Sequence, residues 1–277
     1  MNIHITDKEE FEKLIYATIL TTEMGSSMYG TSDENSDTDY LHIYIPSINE
    51  KNSFVNSHHQ IQYKENNTDH IFINLHSFIR NCLNGDSTIN MEILFSDSMK
   101  NSKELNFLYE MRNSFINYKI VRSYVGFGNR DLKQVGKQVN DLEKNKKVAH
   151  AYRCLKFAEM LLNGTFNPYI NTLDTLYIKD KIIDIKASKD YKVRDSNISE
   201  IRTNIETLRN DLNDKLNNHI LHIPVYMKCE DQYLLDVNIH DLIESDYWKN
   251  KENWYMNMLP FYKVNENDNI IEYGEMK

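Results

Sequence analysis

The sequence predicts an α+β protein, with an α/β half to about residue 100 followed by a mainly helical half. Three observations carry this prediction. The run "DYLHIYIP" alternates apolar and polar residues with the period of a strand. From Ser102 onward the apolar spacing lengthens to the 3.6-residue period of a helix. Glycine (8) and proline (4) are scarce among 277 residues, which favours long helices over loops.

The elements follow in chain order. Thr6-Asp7-Lys8-Glu9 fits a capping box with Thr6 as N-cap. Phe11, Leu14 and Ile15 form the apolar stripe of a helix that fades near Thr21, ahead of Gly25-Ser26. In the following strand Leu41, Ile43 and Ile45 face one way and Tyr40, His42 and Tyr44 the other, and Pro46 closes it. The polar stretch from Ser47 to Thr68 reads as a loop or weak hairpin. Asp69–Asn74 is a second strand that turns helical around His76. "NGDSTINMEILFSD" is a turn and a short helix.

"SKELNFLYEMRNSFIN" reads as one helix. "VRSYVGFGNRDLKQVGKQVNDLEKN" reads as another, open to interruption at Gly126-Phe127-Gly128. The clearest helix is "KKVAHAYRCLKFAEMLLNG", with a core stripe of Val148, Ala151, Tyr152, Leu155, Ala158 and Leu162, stopped by Gly164. "NISEIRTNIETLRNDLNDKLNN" is long and amphipathic, and "WKNKENWYMNMLPFYKV" lies near the C-terminus.

Composition bounds the function. The net charge is −9 and the pI about 5.6, so general nucleic-acid binding is disfavoured, because phosphate neutralisation needs a positive surface. A local basic groove stays possible. Cys82, Cys154 and Cys229 make no CxxC pair and read as reduced, structural cysteines, which fits a cytoplasmic protein. The charged N-terminal run is not expected to act as a signal peptide, and no run approaches the roughly 18 apolar residues of a membrane span. There is no GxxxxGK[ST], HExxH or GxSxG. His58-His59 point apart on an extended chain and have no companion ligand.

The chemically informative stretch is "MGSSMYGTSDENSDTDYLHIYIP", Met24 to Pro46. Residues i and i+2 of a strand share a face, so Asp37 and Asp39 present adjacent carboxylates. Such a pair repels itself unless a cation intervenes, and hard oxygen ligands suit Mg²⁺ or Mn²⁺. Gly25 permits close backbone approach to a ligand. Ser26 adds a hydroxyl and an N–H, and a helical turn over Ser26–Tyr29 would aim free N–H groups at phosphate oxygens. The plain alternative is a solvated surface loop. The order helix, Gly-Ser, polar loop, Asp-X-Asp, strand argues for a phosphate site beside a metal site. On the later helix, Lys147, His150 and Arg153 are spaced i, i+3, i+6 and form either a clamp for a triphosphate or a solvated face. Arg130, Lys133 and Lys137 read as a solvated row.

Gly-Ser followed some ten residues on by Asp-X-Asp resembles the active-site motif of polymerase-β-like nucleotidyltransferases. More narrowly, the stretch resembles the "GSxAYGTxxxxSDxDxxGxxxxP" of a family of predicted bacterial and phage nucleotidyltransferases. "INLHSFIRNCLNGDSTINMEILFS" is similar to their "xxLxKFLxLxxxGNPxxLELLxx". "KKVAHAYRCLKFAEMLLNGT" is similar to their "KxxxHxxRLLxxAxELLxxG", and "MLP" to a closing Leu-Pro. His42 stands where the family often has Gly, and Gly85-Asp86-Ser87 replaces "GNP".

The resemblance implies a nucleotidyltransferase core with a small mixed sheet as a catalytic domain over residues 1–100. A mainly helical, substrate- or nucleotide-binding domain would follow over 101–277. It implies a nucleoside triphosphate as substrate and Mg²⁺ or Mn²⁺ as cofactor, with transfer of a nucleotidyl group to an unidentified acceptor and release of pyrophosphate. Gly25 and Ser26, with Lys147, His150 and Arg153, would bind the nucleotide, and Asp37 and Asp39 would bind metal. Asp69 is the choice for a third carboxylate, with Glu65 and Glu92 as alternatives. The acceptor is open between a small molecule, a protein and RNA. Two rival readings are a non-catalytic nucleotide-binding regulator and a toxin or phage enzyme acting on protein or tRNA.

Overall fold

The computed structural model describes residues 2–32, 36–45, 60–65, 67–168 and 175–217, with short pieces at 234–235, 238, 262–264 and 270–273. His58-His59, Cys229 and most of the segment from Trp248 to Val264 lie outside the described residues.

A five-stranded mixed sheet is built from β1 (Asn2–Ile5), β2 (Thr18–Met24), β3 (Thr38–Tyr44), β4 (Gln60–Glu65) and β5 (Thr68–Asn74). Its order is β1-β4-β5-β3-β2. The central pair β3–β5 is parallel, in a register that sets Asp39 opposite Asp69, Leu41 opposite Ile71 and Ile43 opposite Ile73. β2 runs antiparallel to β3, with Met24 opposite Asp39. The end of β2 and the starts of β3 and β5 therefore lie at one end of the sheet.

The strand alternation assigns the two faces. Leu20, Met24, Leu41, Ile43 and Ile73 point into the main core. Tyr44, Ile61, Tyr63 and Phe72 point to the other face, where helix α1 (Lys8–Ala17) covers them with Leu14 and Ala17. Both faces are buried, so β3 is apolar or aromatic on either side, as a central strand needs.

The helical half follows with α2 (Leu75–Asn84), α3 (Thr88–Leu94), α4 (Asp97–Asn101), α5 (Asn106–Glu110), α6 (Tyr118–Gln134), α7 (Asp141–Leu162), α8 (Leu176–Ala187) and α9 (Tyr191–Asn217). Helix α7 is the axis of this half. It is buried nearly all round, through Val148, Ala151, Leu155, Phe157, Ala158 and Leu161, as a helix enclosed by others must be. Its neighbours are α6, α8 and α9. On α9, Ile201, Ile205 and Leu212 keep the i, i+4, i+11 spacing of a single buried stripe. One continuous core runs from the sheet residues Leu41 and Ile73 to Leu155 and Ile205. A short antiparallel pair, β6 (Tyr262–Val264) and β7 (Ile270–Tyr273), lies late in the chain. Among the described residues no helix is long and apolar enough to cross a membrane.

Several sequence expectations are corrected. The first helix ends at Ala17, and Thr18–Met24 is strand β2. The β-branched run Thr18-Ile19, Thr21-Thr22 favours extended backbone. The N-cap is Asp7, whose carboxylate accepts the Glu9 N–H at 2.8 Å, rather than Thr6. The stretch 102–117 is a short helix followed by a 3₁₀ turn, Arg112–Phe115, rather than one helix. Gly126-Phe127-Gly128 does not interrupt α6. Gly128 is instead a point of close helix approach, where a β-carbon would lie 3.0 Å from Ile205 Cδ1 and 3.3 Å from the Ala151 carbonyl. Within the stretch that reads as a loop or weak hairpin, Gln60–Glu65 is strand β4, paired antiparallel with β5.

Candidate active site

The candidate site lies at the sheet end where β2 leaves and β3 and β5 begin. Gly25 through Gly30 form a tight turn rather than the opening of a helix. The Ser26 carbonyl accepts the Thr31 N–H at 2.9 Å and the Ser27 carbonyl accepts the Gly30 N–H at 3.1 Å. Gly25 and Gly30 sit at φ 69° and 62°, in the left-handed region that costs other residues about 1–2 kcal/mol. Gly25 is also constrained by space, since a β-carbon there would lie 3.1 Å from Asp39 Oδ2. The Gly-Ser turn and the first strand aspartate are therefore in direct juxtaposition.

Asp39 and Asp69 occupy facing register positions on the parallel pair and share the face of the main core. Burial raises the Asp39 pKa, the negative charges of Asp69 and Asp37 raise it further, and Lys64 opposes them. Asp69 Oδ1 is buried and accepts no hydrogen bond among the described residues. Its nearby cation is Lys64, whose Nζ is 3.3 Å away and whose side chain is 59% exposed. Asp37, two residues before Asp39, is exposed at the rim. Carboxylates that crowd one another at one sheet end, countered only by the largely exposed Lys64, suit a hard cation.

Among the described residues, no group of three or more His, Cys, Asp or Glu is gathered closely enough to hold a metal ion. Two facing carboxylates still fit Mg²⁺, which is commonly held by one or two carboxylates together with substrate phosphates and water.

The alternatives for the third carboxylate stand elsewhere. On β4, Lys64 pairs with Asp69, so Glu65 points to the opposite face of the sheet. Glu92, on α3, is fully buried. It accepts hydrogen bonds from the Tyr29 hydroxyl at Oε2 and from the Tyr124 hydroxyl, 2.9 Å, at Oε1. Arg153 Nη1 is 3.7 Å from Glu92 Oε2, and its guanidinium stacks on the Tyr29 ring at 3.7 Å. Burial pushes the Glu92 pKa up to about 8, against the Tyr124 hydrogen bond and the charge of His150. Because Tyr29 belongs to the Gly25–Gly30 turn, this buried group braces the turn from below.

The three basic residues of the long helix each have an acidic neighbour. Asp131 of α6 is 2% exposed. It receives His150 in a close contact, Lys147 Nζ at 3.4 Å and Arg130 Nε at 3.7 Å. Burial opposes charge on His150, but neighbouring Cys154 and the hydrogen bond to Asp131 outweigh it and hold the pKa up, at about 10. Lys147 and His150 thus share the single Asp131 carboxylate in an α6–α7 link that keeps a net positive charge, and Arg153 is buried under the turn. Of the two sequence readings, a phosphate clamp and a solvated face, the second does not describe these residues, since each has a carboxyl neighbour.

Two lysines on α8, a helix that no sequence motif marks, do reach the turn. Lys186 Nζ donates to the Thr31 carbonyl at 2.9 Å. Lys179 Nζ lies 3.0 Å from where a β-carbon of Gly30 would sit. The detectable signal is their seven-residue spacing in "YIKDKIIDIKA", which puts both on one side of a helix.

A family model described as "RNA repair pathway DNA polymerase beta family" matches residues 3–224. None of the curated proteins matches the chain. A search of solved structures finds a nucleotidyltransferase-like protein from Exiguobacterium sibiricum 255-15, with 12% identity and a TM-score of 0.30, covering 91% of this chain and 87% of that one.

Proposed function

Because the chain belongs to the RNA repair pathway DNA polymerase beta family, a membership that supports a nucleotidyltransferase-type function, we propose that it is a metal-dependent nucleotidyltransferase. It would transfer a nucleoside monophosphate from a triphosphate to a hydroxyl on RNA. The observation that carries this reading is the juxtaposition of Gly25 with Asp39 Oδ2, and of Asp39 with Asp69 across the parallel strands. The family description favours RNA over the protein and small-molecule acceptors.

In this reading Gly25 lets the backbone approach the phosphates, and Ser26 supplies its hydroxyl and N–H. Asp39 and Asp69, with Asp37 at the rim, would hold Mg²⁺ or Mn²⁺. A bound divalent ion supplies neutralisation of the triphosphate and a lowered pKa for the attacking hydroxyl. The acceptor oxygen forms a bond to the α-phosphorus while the bond from that phosphorus to the bridging oxygen breaks. Pyrophosphate leaves in line, and the acceptor proton passes to the carboxylate pair. Tyr29, held by Glu92 and Arg153, keeps the turn in place, so Arg153 acts as a positioning residue.

The test is incubation with α-labelled nucleotides, Mg²⁺ and separate RNA, protein and small-molecule fractions. Label entering RNA is expected. Label confined to protein or to small molecules would overturn the RNA assignment, and no label with any of the four common nucleotides would overturn the transferase reading.

A further inference from the structure

Helix α8 lies along the Gly25–Thr31 turn and presents two lysines to it, seven residues and about two helical turns apart. Their surroundings differ. Lys186 commits its ammonium to the turn itself, donating to the Thr31 carbonyl at 2.9 Å and lying 3.5 Å from Thr31 Oγ1. Lys179 reaches one residue earlier. Its Nζ and Cε lie 3.0 and 3.5 Å from the β-carbon position of Gly30, whose φ is +62°. The ammonium thus occupies the space that a side chain at position 30 would need.

Lys179 is half-buried, and among the described residues neither a carboxylate nor a hydrogen-bond acceptor is paired with its ammonium. An ammonium offers three donors and a full positive charge, so one with no protein acceptor beside the turn is available to an anion seated there. The other basic side chains near the site each have a carboxyl group within 4 Å, Lys147 and His150 sharing Asp131 and Arg153 lying 3.7 Å from Glu92, whereas Lys179 has none among the described residues. The turn is therefore flanked by the carboxylates at its Gly25 end and by an unneutralised cation at its Gly30 end. That polarity would orient a triphosphate, with its outer, most charged end toward α8.

We propose that Lys179 binds the outermost phosphate of the nucleoside triphosphate. The assignment rests on the nucleotidyltransferase reading above and deepens it by adding a binding residue from α8. An ammonium is a compact point charge with three donors, well suited to a terminal phosphate. Its contribution grows with phosphate number, because only a triphosphate reaches it.

The test is equilibrium binding of ATP, ADP and AMP to the full chain and to its Lys179→Gln and Lys179→Arg variants, with thermal unfolding as a control for folding. Lys179→Gln is expected to weaken ATP about tenfold or more and AMP by less than twofold, and Lys179→Arg to restore most of the ATP affinity. Equal weakening of all three nucleotides, or ATP binding within twofold of wild type, would overturn the assignment while leaving the nucleotidyltransferase reading intact. If the wild-type chain binds none of the three nor GTP, CTP or UTP, both fall.

Discussion

Among single residues, carboxylates in two different environments divide the labour. Asp39 has its charge crowded by Asp69 and Asp37 at the mouth of two strands, where a cation can answer it. Glu92 is enclosed by two tyrosines and Arg153, where it serves structure. The consequences differ. Asp39→Asn relieves repulsion and should leave the melting temperature unchanged or slightly raised, while removing Mg²⁺-dependent transfer. Calorimetry and a transfer assay on the same preparation check both halves. For Glu92 the folded pKa, about 8, is above the ordinary value of 4.5. The native state then holds a proton that the unfolded state has released, so stability is present below pH 4.5 and lost as pH rises toward 8. Glu92→Gln should flatten that loss across pH 5 to 8. A pH series of melting temperatures that is equally steep in both proteins would refute this.

Among the elements, the turn and the sheet each make a prediction. Gly25→Ala forces a β-carbon to within 3.1 Å of Asp39 Oδ2 at a φ of 69°. It should cost about 1–2 kcal/mol and weaken nucleotide binding, as a binding titration would show.

On the far face of the sheet, His42 of β3 bridges to β2 and β5. Thr21 Oγ1 and His42 Nδ1 are 2.9 Å apart, as are His42 Nε2 and His70 Nδ1. Burial, aided by His70, pushes the His42 pKa down to about 3. A depressed histidine pKa contributes stability above about pH 6.5 that is lost as pH falls toward 3. His42→Phe, which keeps the stacking on Phe72 at 4.4 Å, should make the chain less acid-sensitive, readable as a shallower decline of melting temperature over that interval.

The elements also show where sequence reasoning reached and where it stopped. The alternation of β3 and the Gly164 stop of α7 are local signals, and they lead to the right elements, whereas the start of α7 at Asp141 falls within the run that reads as the preceding helix. Strand β2 follows α1 with no breaker between them, so the apolar stripe reads as continuous until the pairing partner is known. Asp37 and Asp39 are legible because they are i, i+2 on one strand. The opposition of Asp39 and Asp69 is set by interstrand register, thirty residues apart in sequence. Alternation within each strand nominates Asp69 but does not fix which residue it faces. The partners of Lys147, His150 and Arg153 lie on other helices, so their spacing along one helix does not reveal that Asp131 and Glu92 stand beside them.

For the whole molecule, one core joins the sheet to the helices, and Tyr29, Glu92, Tyr124 and Arg153 link the turn to α3, α6 and α7. A ligand seated on the turn should stabilise the entire described core. At a hundredfold excess over its dissociation constant, a nucleotide with Mg²⁺ adds about 2.7 kcal/mol, a rise of several degrees in melting temperature for a chain of this size. The decisive measurement is Mg²⁺-dependent transfer of labelled nucleotide by the wild-type chain beside Asp39→Asn and Asp69→Asn, each verified as folded. Labelled acceptor is expected with the wild type, and a loss of about a hundredfold or more with either variant. Wild-type rates in either folded variant would contradict the carboxylate pair as the centre of the reaction.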